Sequence, residues 1–192
     1  MATLASPDLA RYSRVAVWLH WILAALIAAN LLTGFFHEDF ARPVRSTMMG
    51  WHKSLGFTVI ALTLIRILWR LTHRPPPFDP AMKAWEAAVA RLVHGLFYLL
   101  LLAIPLSGWL IVSSGEKVNP TNFFWLLEIG PLPVARGDDL HDFAEEAHEL
   151  LAWAMIVLLL LHVGGAVKHH LAGHRHLIGR MMPWAGPGDR RP

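Results

Sequence analysis

The sequence predicts an all-α membrane protein, a transmembrane four-helix bundle in which residues 1–192 form a single membrane domain. The chain is 55% hydrophobic and only 16% charged, and its apolar residues are concentrated in long blocks. Four of these blocks approach the roughly 20 residues that a helix needs to cross the hydrocarbon core of a bilayer. Proline and glycine interrupt the sequence between the blocks, which is typical of turns between helices.

The four apolar runs are Val15–Phe36, Trp51–Leu71, Leu92–Val112 and Leu150–Val167. With their flanking turns they predict helices at about 15–36, 51–71, 92–112 and 148–170, and a long loop at about 113–147. The first run is too long for a signal peptide and no small-residue cleavage site follows it, so we expect it to be retained.

The basic residues predict the orientation of the bundle. Twelve of the 17 Lys and Arg residues fall on one side, at the N-terminus, the second connection with its helix ends, and the C-terminus. The remaining five are Arg42, Arg45, Lys53, Lys117 and Arg136. By the positive-inside rule both termini are expected to be cytoplasmic. The pI of 9.7 is then explained by basic residues near anionic lipid, and no nucleic-acid partner is expected.

The chain contains no cysteine. Disulfides, iron–sulfur clusters, thiolate zinc sites and haem attached through Cys-x-x-Cys-His are therefore excluded. The chemistry has to depend on histidine, on carboxylates or on a bound organic cofactor.

Five of the histidines on the predicted helices lie at two depths. His148 and His162 are fourteen residues apart on the fourth helix, which places them on nearly the same face about 21 Å apart. With the N-terminus inside, His20 and His94 lie at the cytoplasmic depth of His162, and His52 lies at the outer depth of His148. Imidazole within a membrane is rarely without a function.

Two layers of facing histidines in a four-helix bundle are the arrangement that holds two b-type haems with two axial histidines each. Structural zinc needs four ligands in a tight tetrahedron, which neither layer offers. Each histidine taken alone could instead lie at the interface and hydrogen-bond a carbonyl group. Depth does not decide whether His20 or His94 would be the second ligand beside His162.

The sequence resembles the bacterial cytochrome b561 family of dihaem membrane proteins along nearly its whole length. The matching motifs of the first two helices are Arg11-Tyr12-Ser13, Trp18-Leu19-His20-Trp21, Trp51-His52-Lys53-Ser54-Leu55-Gly56 and Ile65-Arg66-Ile67-Leu68-Trp69-Arg70. Those of the last two are His94-Gly95-Leu96-Phe97-Tyr98, Ile104-Pro105-Leu106-Ser107-Gly108, His148-Glu149, Leu161-His162, Lys168-His169-His170 and Arg180-Met181-Met182-Pro183.

The resemblance implies that His20 and His162 ligate an inner haem b, and that His52 and His148 ligate an outer one. It leaves His94 unligated, and we expect His94 and His169 to line a quinone pocket at the cytoplasmic interface, where histidine can transfer protons. Arg66 is expected to pair with haem propionates, and Lys53 could do the same at the outer haem. An alternative for Arg66 and His169 is a side chain that extends to the interface.

Family resemblance further implies a superoxide:quinone oxidoreductase of the bacterial inner membrane, which would pass single electrons from superoxide outside to ubiquinone inside. Arg42, Arg45 and Lys53 could attract the superoxide anion. The acidic residues Asp138, Asp139, Asp142, Glu145 and Glu146 before the fourth helix would repel it, unless they form a solvated amphipathic segment. The alternative is an electron-transfer subunit that serves a periplasmic cytochrome or a dehydrogenase, for which an acidic outer face is suitable.

Overall fold

The computed structural model describes residues 11–78, 82–117, 120–173 and 178–183. These residues form four long helices, α1 (Arg14–Phe36), α2 (Arg42–Thr72), α3 (Ala84–Ser114) and α4 (Asp138–Leu171). A single 3-10 turn, His37–Asp39, follows α1, and two short antiparallel strands, β1 (Thr121–Phe123) and β2 (Leu127–Ile129), form a hairpin between α3 and α4.

All four helices are long enough and apolar enough to cross a membrane, which confirms the predicted fold class. Only 11 to 17% of the residues in each apolar window are buried inside the protein. Large side chains such as Leu68, Leu99 and Leu160 are more than 60% exposed. Leucine in such positions is stable against lipid, so the membrane rather than a protein core accounts for most of the apolar surface.

Three helices begin well before the apolar runs that predicted them. Helix α2 begins at Arg42 instead of residue 51, α3 at Ala84 instead of residue 92, and α4 at Asp138 instead of residue 148. Hydropathy detects only the part of a helix that faces lipid, whereas these added turns carry polar residues. In α3 the added turn is capped by Glu86, whose carboxylate accepts a hydrogen bond of 3.2 Å from the backbone N–H of Lys83.

The acidic residues that were expected in the loop before the fourth helix belong to the first turns of α4. Asp138, Asp139, Asp142, Glu145 and Glu146 are all exposed, whereas Ala144 in the same turns is fully buried. This is the amphipathic surface segment, and its inner face packs on the bundle.

The bundle packs as two helix pairs, α1 with α2 and α3 with α4, and α2 joins the pairs by its contact with α3. Its buried core lies at mid-height and consists of Leu23, Val59, Leu100, Leu101, Met155 and Leu158. Met155 lies seven residues from both His148 and His162, so this apolar cluster lies about 10 Å from each of the two histidine depths.

The β-hairpin is attached to α2 through the buried hydroxyl of Ser54. Ser54 Oγ accepts a hydrogen bond of 2.9 Å from the backbone N–H of Phe124 and lies within donating distance of Gly50 O and Asn122 O. The turn of the hairpin places Phe124 and Trp125 at positive φ, 46° and 58°, a conformation that bulky residues rarely adopt. Trp125 packs on the ring of Trp51 and against Gly50.

Candidate functional site

The structure arranges five of the helix histidines in two layers at opposite ends of the bundle. The outer layer is formed by His52 and His148, whose ring centroids are 6.1 Å apart with the planes inclined by 69°. The inner layer is formed by His20, His94 and His162; the His162 centroid lies 6.2 Å from that of His20 and 5.9 Å from that of His94. Outer and inner refer to the orientation that the basic residues predict.

His52 is held by three residues of α1. Its Nδ1 lies 3.1 Å from the carbonyl oxygen of Asn30 and 3.3 Å from Thr33 Oγ1. Gly34 provides the space for the ring, because a Cβ at that position would lie 3.1 Å from Cε1 of His52. The side-chain amide of Asn30 can also be oriented so that its nitrogen donates to the backbone carbonyl of His52 and its oxygen accepts from the backbone N–H of Gly56. These bonds link α1 to the turn of α2 that carries the imidazole.

His148 is held in the same way by three residues of α3. Its Nδ1 lies 3.0 Å from the carbonyl oxygen of Ile104 and 3.0 Å from Ser107 Oγ. A Cβ at Gly108 would lie 3.1 Å from Cε1 of His148. The two outer imidazoles are therefore supported by equivalent positions: a carbonyl, a hydroxyl three residues later and a glycine immediately after the hydroxyl.

These contacts fix the tautomer of both outer histidines. A carbonyl oxygen can only accept a hydrogen bond, so Nδ1 of each ring carries the proton and donates it. Nε2 of His52 and of His148 then has a free lone pair. An imidazole whose Nδ1–H donates to a backbone carbonyl is the form in which histidine binds a metal through Nε2.

A cavity of about 480 Å³ adjoins the outer layer, and both His52 and His148 line it. Its walls are largely apolar and include the core residues Val59, Leu101 and Met155. Besides the two imidazoles, the polar residues that line it are Asn30, His37, Glu38, Lys53, Thr121, Glu145 and Glu149. The two imidazoles thus lie beside an apolar slot whose mouth carries charged side chains.

The inner layer is organised differently. Phe97 packs on the ring of His162, with centroids 5.3 Å apart, and no ring nitrogen of His20, His94 or His162 has a hydrogen-bond partner among the described residues. Arg66 is half-buried and donates to the carbonyl oxygen of Ala16, one turn before His20.

The other two candidates lie at the margins of the layers. Lys53 lines the outer cavity beside His52. His169 lies in the last turn of α4, seven residues beyond His162, where the neighbouring Lys168 pairs with Glu86 of α3 at 3.3 Å. The structure therefore brings His20, His94 and His162 into contact, and it places His169 about two turns further along α4.

The geometry of the layers fits haem better than a metal ion bound directly by the protein. Within the described ranges, no group of three or more His, Cys, Asp or Glu residues could hold a metal ion. An iron with two axial nitrogens needs metal–nitrogen bonds of about 2 Å, which puts the two ring centroids about 6 Å apart. The pair His52–His148, at 6.1 Å, meets this requirement, and in the inner layer both His20–His162 and His94–His162, at 6.2 and 5.9 Å, meet it.

Comparison with known proteins supports the same cofactor. Residues 11–184 match the family described as prokaryotic cytochrome b561. The chain belongs to this family. Cytochrome b561 proteins carry b-type haem and transfer electrons in membranes, so the chain is a membrane electron-transfer protein with oxidoreductase character.

Three cytochrome b561 relatives cover almost the whole chain but carry different names. "Cytochrome b561 homolog 2" of Escherichia coli K12 is 31% identical over 90% of this chain and 91% of its own length. "Probable superoxide oxidase CybB" of Yersinia pestis is 27% identical over 90% and 96%. "Cytochrome b562" of Cereibacter sphaeroides is 28% identical over 89% and 94%.

No role was assigned from the sequence to Thr33, Gly34, Ser107 or Gly108. A signal was nevertheless present in the sequence, because each helix carries two residues fourteen positions apart that are histidine, glycine or arginine. The pairs are His20 with Gly34, His52 with Arg66, His94 with Gly108, and His148 with His162. Each helix of this cytochrome b561 protein therefore contributes one residue to the outer layer or its support, and one to the inner layer or its margin.

Proposed function

We propose that the chain is a dihaem cytochrome b that moves single electrons across the bacterial inner membrane, between an outer donor and a quinone at the cytoplasmic side. The observation that carries the proposal is the outer pair, in which both imidazoles present an unprotonated Nε2 beside an apolar cavity. The inner pair, with a similar centroid distance, supports a second site on the same helix α4.

In this proposal His52 and His148 bind the outer haem, and His20 and His162 bind the inner one. Haem held by two histidines would supply one-electron transfer and would leave no open position for oxygen. Helix α4 holds one ligand of each pair and sets the two sites about 21 Å apart along its axis. The apolar side chains between the layers exclude water from the path between them.

Arg66 and Lys53 are proposed to compensate the haem propionates. Arg66 is the cation at the inner depth of α2, and its guanidinium already contacts the backbone of α1 beside His20. Lys53 lines the outer cavity and is half-buried there. A carboxylate at the membrane edge is stabilised by such a partner through charge-assisted hydrogen bonds.

His94 and His169 are proposed to line the quinone site, with ubiquinone as the acceptor. Reduction of a quinone by two electrons consumes two protons, and imidazole can deliver protons near neutral pH. His94 touches His162, so a quinone beside it would be adjacent to an inner ligand.

Superoxide is the proposed outer donor, and the name of the Yersinia pestis relative supports it. Lys53 at the cavity, with Arg42 and Arg45 at the exposed start of α2, gives this end of the protein positive charge that attracts an anion. The carboxylates of Glu38, Glu145 and Glu149 at the same mouth oppose that attraction.

These carboxylates favour a second candidate, an electron-transfer subunit without substrate chemistry of its own. A periplasmic cytochrome ringed by lysines, or a dehydrogenase with a basic docking surface, would be attracted by the acidic turns of α4. The relatives named only as cytochromes are consistent with this role.

Exposure of the purified, oxidised holoprotein to a superoxide generator tests the choice. With superoxide as donor, the visible spectrum shows haem reduction within the mixing experiment, and added superoxide dismutase abolishes it. If the haem stays oxidised while a reduced basic c-type cytochrome transfers electrons to it rapidly, the superoxide proposal is wrong and the docking role replaces it. Absence of a Soret band from the purified protein would contradict both.

A further inference from the structure

The two histidine layers differ in how their imidazoles are held, and this difference has an electronic consequence. Both outer rings donate Nδ1–H to a carbonyl oxygen and approach a hydroxyl, at Asn30 and Thr33 for His52 and at Ile104 and Ser107 for His148. The inner rings of His20 and His162 make no such bond within the described part of the chain. Only the outer ligands therefore gain basicity from a hydrogen-bonded Nδ1.

Building on the proposed dihaem function, we propose that Thr33-Gly34 and Ser107-Gly108 are positioning residues that give the outer haem a lower midpoint potential than the inner one. Each pair consists of a hydroxyl at the edge of an imidazole and a glycine that admits the ring to the carbonyl. A more basic ligand donates more electron density to iron and favours the oxidised state.

The glycines set the strength of these hydrogen bonds. At both positions an added Cβ would lie 3.1 Å from Cε1 and 3.4 Å from Nδ1 of the imidazole. A side chain there would push the ring away from the carbonyl that it contacts at 3.0 or 3.1 Å. Hydrogen bonds weaken steeply as they lengthen and bend, so the close approach depends on glycine.

The charges near the layers act in the same direction as the hydrogen bonds. Arg66 is half-buried at the inner depth, where its positive charge favours the reduced haem. Glu38, Glu145 and Glu149 at the outer mouth favour the oxidised haem, although they are exposed and partly screened. Lys53 opposes them as a single cation. The ordering would make transfer from the outer to the inner haem favourable.

A redox titration of the visible spectrum of the purified holoprotein tests the ordering. Each haem gives one component of the titration curve. The component that is lost in His52→Ala belongs to the outer haem, because this substitution removes an outer ligand and leaves the inner layer intact. We expect the outer component to titrate at least about 59 mV below the inner one, which is a tenfold difference in the one-electron equilibrium. The reverse order, or equal potentials, overturns the proposal about the potentials. The dihaem function is a separate question, and it stands if the titration resolves two haems.

Four variants test the positioning residues. Gly34→Ala and Gly108→Ala are expected to raise the potential of the outer component and to change its low-spin electron paramagnetic resonance signal, with the inner component unchanged. Gly95→Ala is the matched control in α3, since a Cβ there meets nothing within 4 Å. Thr33→Val and Ser107→Ala remove only the hydroxyls and cover the case in which an alanine variant loses haem. If both hydroxyl variants leave the outer potential unchanged, or if the inner component moves instead, the assignment of these residues is wrong.

Discussion

At the scale of single residues, the two histidines that α4 contributes to the layers are held by different contacts. His148 is tied to α3 by its Nδ1 contacts, whereas His162 packs on the ring of Phe97 and has imidazole neighbours on α1 and α3. One ring of the inner layer therefore has two candidate partners, and ring distances of 6.2 and 5.9 Å do not separate them. The choice of His20 depends on the family resemblance.

Substitution of single histidines separates these roles. We expect the His148→Ala variant to lose one haem and keep the other, because His148 belongs to the outer layer only. The ratio of haem to protein in the purified variant, from the pyridine haemochrome spectrum, should fall to about half. Wild-type stoichiometry in His148→Ala would contradict the ligand assignment.

The same measurement distinguishes His20 from His94. If His20 is the axial ligand, His20→Ala loses the inner haem and His94→Ala retains both. Quinone reduction, followed separately, should slow in His94→Ala because a proton donor beside the quinone is lost. Loss of haem in His94→Ala with normal haem content in His20→Ala would exchange the two roles.

At the scale of elements, the sequence predicted the four spans and failed at the parts that lie in water. Hydropathy identifies a lipid-facing helix because every apolar residue in the run contributes, and each of the four runs lies inside a helix of the structure. The turns of α2 before Trp51 gave no signal because residues 42–47 are all exposed and include two arginines. The hairpin gave none either, since Phe124 and Trp125 at positive φ are not residues from which such a turn is predicted.

The candidate site was predictable to the level of its histidines and no further. Depth along each helix follows from residue count alone, so the two layers could be placed without coordinates. The hydrogen bonds from His52 to Asn30 and from His148 to Ile104 join residues of different helices. Such partners depend on the rotation of each helix about its axis, which the sequence of one chain does not specify.

The hairpin depends on one buried hydroxyl, and its removal should be measurable. In Ser54→Ala the backbone N–H of Phe124 loses its acceptor in a partly buried position, which costs about 1–3 kcal/mol. For a chain of this size each kcal/mol lowers the unfolding temperature by roughly 2–4 °C. Thermal unfolding in detergent, followed by circular dichroism, provides the measurement.

Ser46→Ala is the matched control for this prediction. Ser46 lies on the same helix, is exposed and donates only to the carbonyl oxygen of Pro43 within α2. Its loss should shift the unfolding temperature by no more than about 1–2 °C, because surface substitutions are worth about 0.5 kcal/mol or less. Equal effects of the two substitutions would show that the link between Ser54 and the hairpin does not stabilise the protein.

At the scale of the whole molecule, the apolar core separates two polar ends. Val59, Leu101 and Met155 each lie seven residues from both layers on their own helices. The outer end has exposed carboxylates on α4, and the inner end has Arg66 and Arg70 on α2, with Arg70 over the ring of Tyr98. A bundle with such ends is expected to have a fixed orientation and to accept electrons from one side only.

Membrane vesicles of defined orientation test this polarity together with the positive-inside prediction. Superoxide is an anion, and a charge crosses the hydrocarbon core only at high cost. Superoxide generated in the bulk solution should therefore reduce the haem in right-side-out vesicles, where the His52–His148 end faces the bulk, and leave it oxidised in inverted vesicles. Superoxide dismutase added outside serves as the control. Faster reduction in inverted vesicles would place the His20–His162 end outside, and the assignment of the basic ends to the cytoplasm would then be wrong.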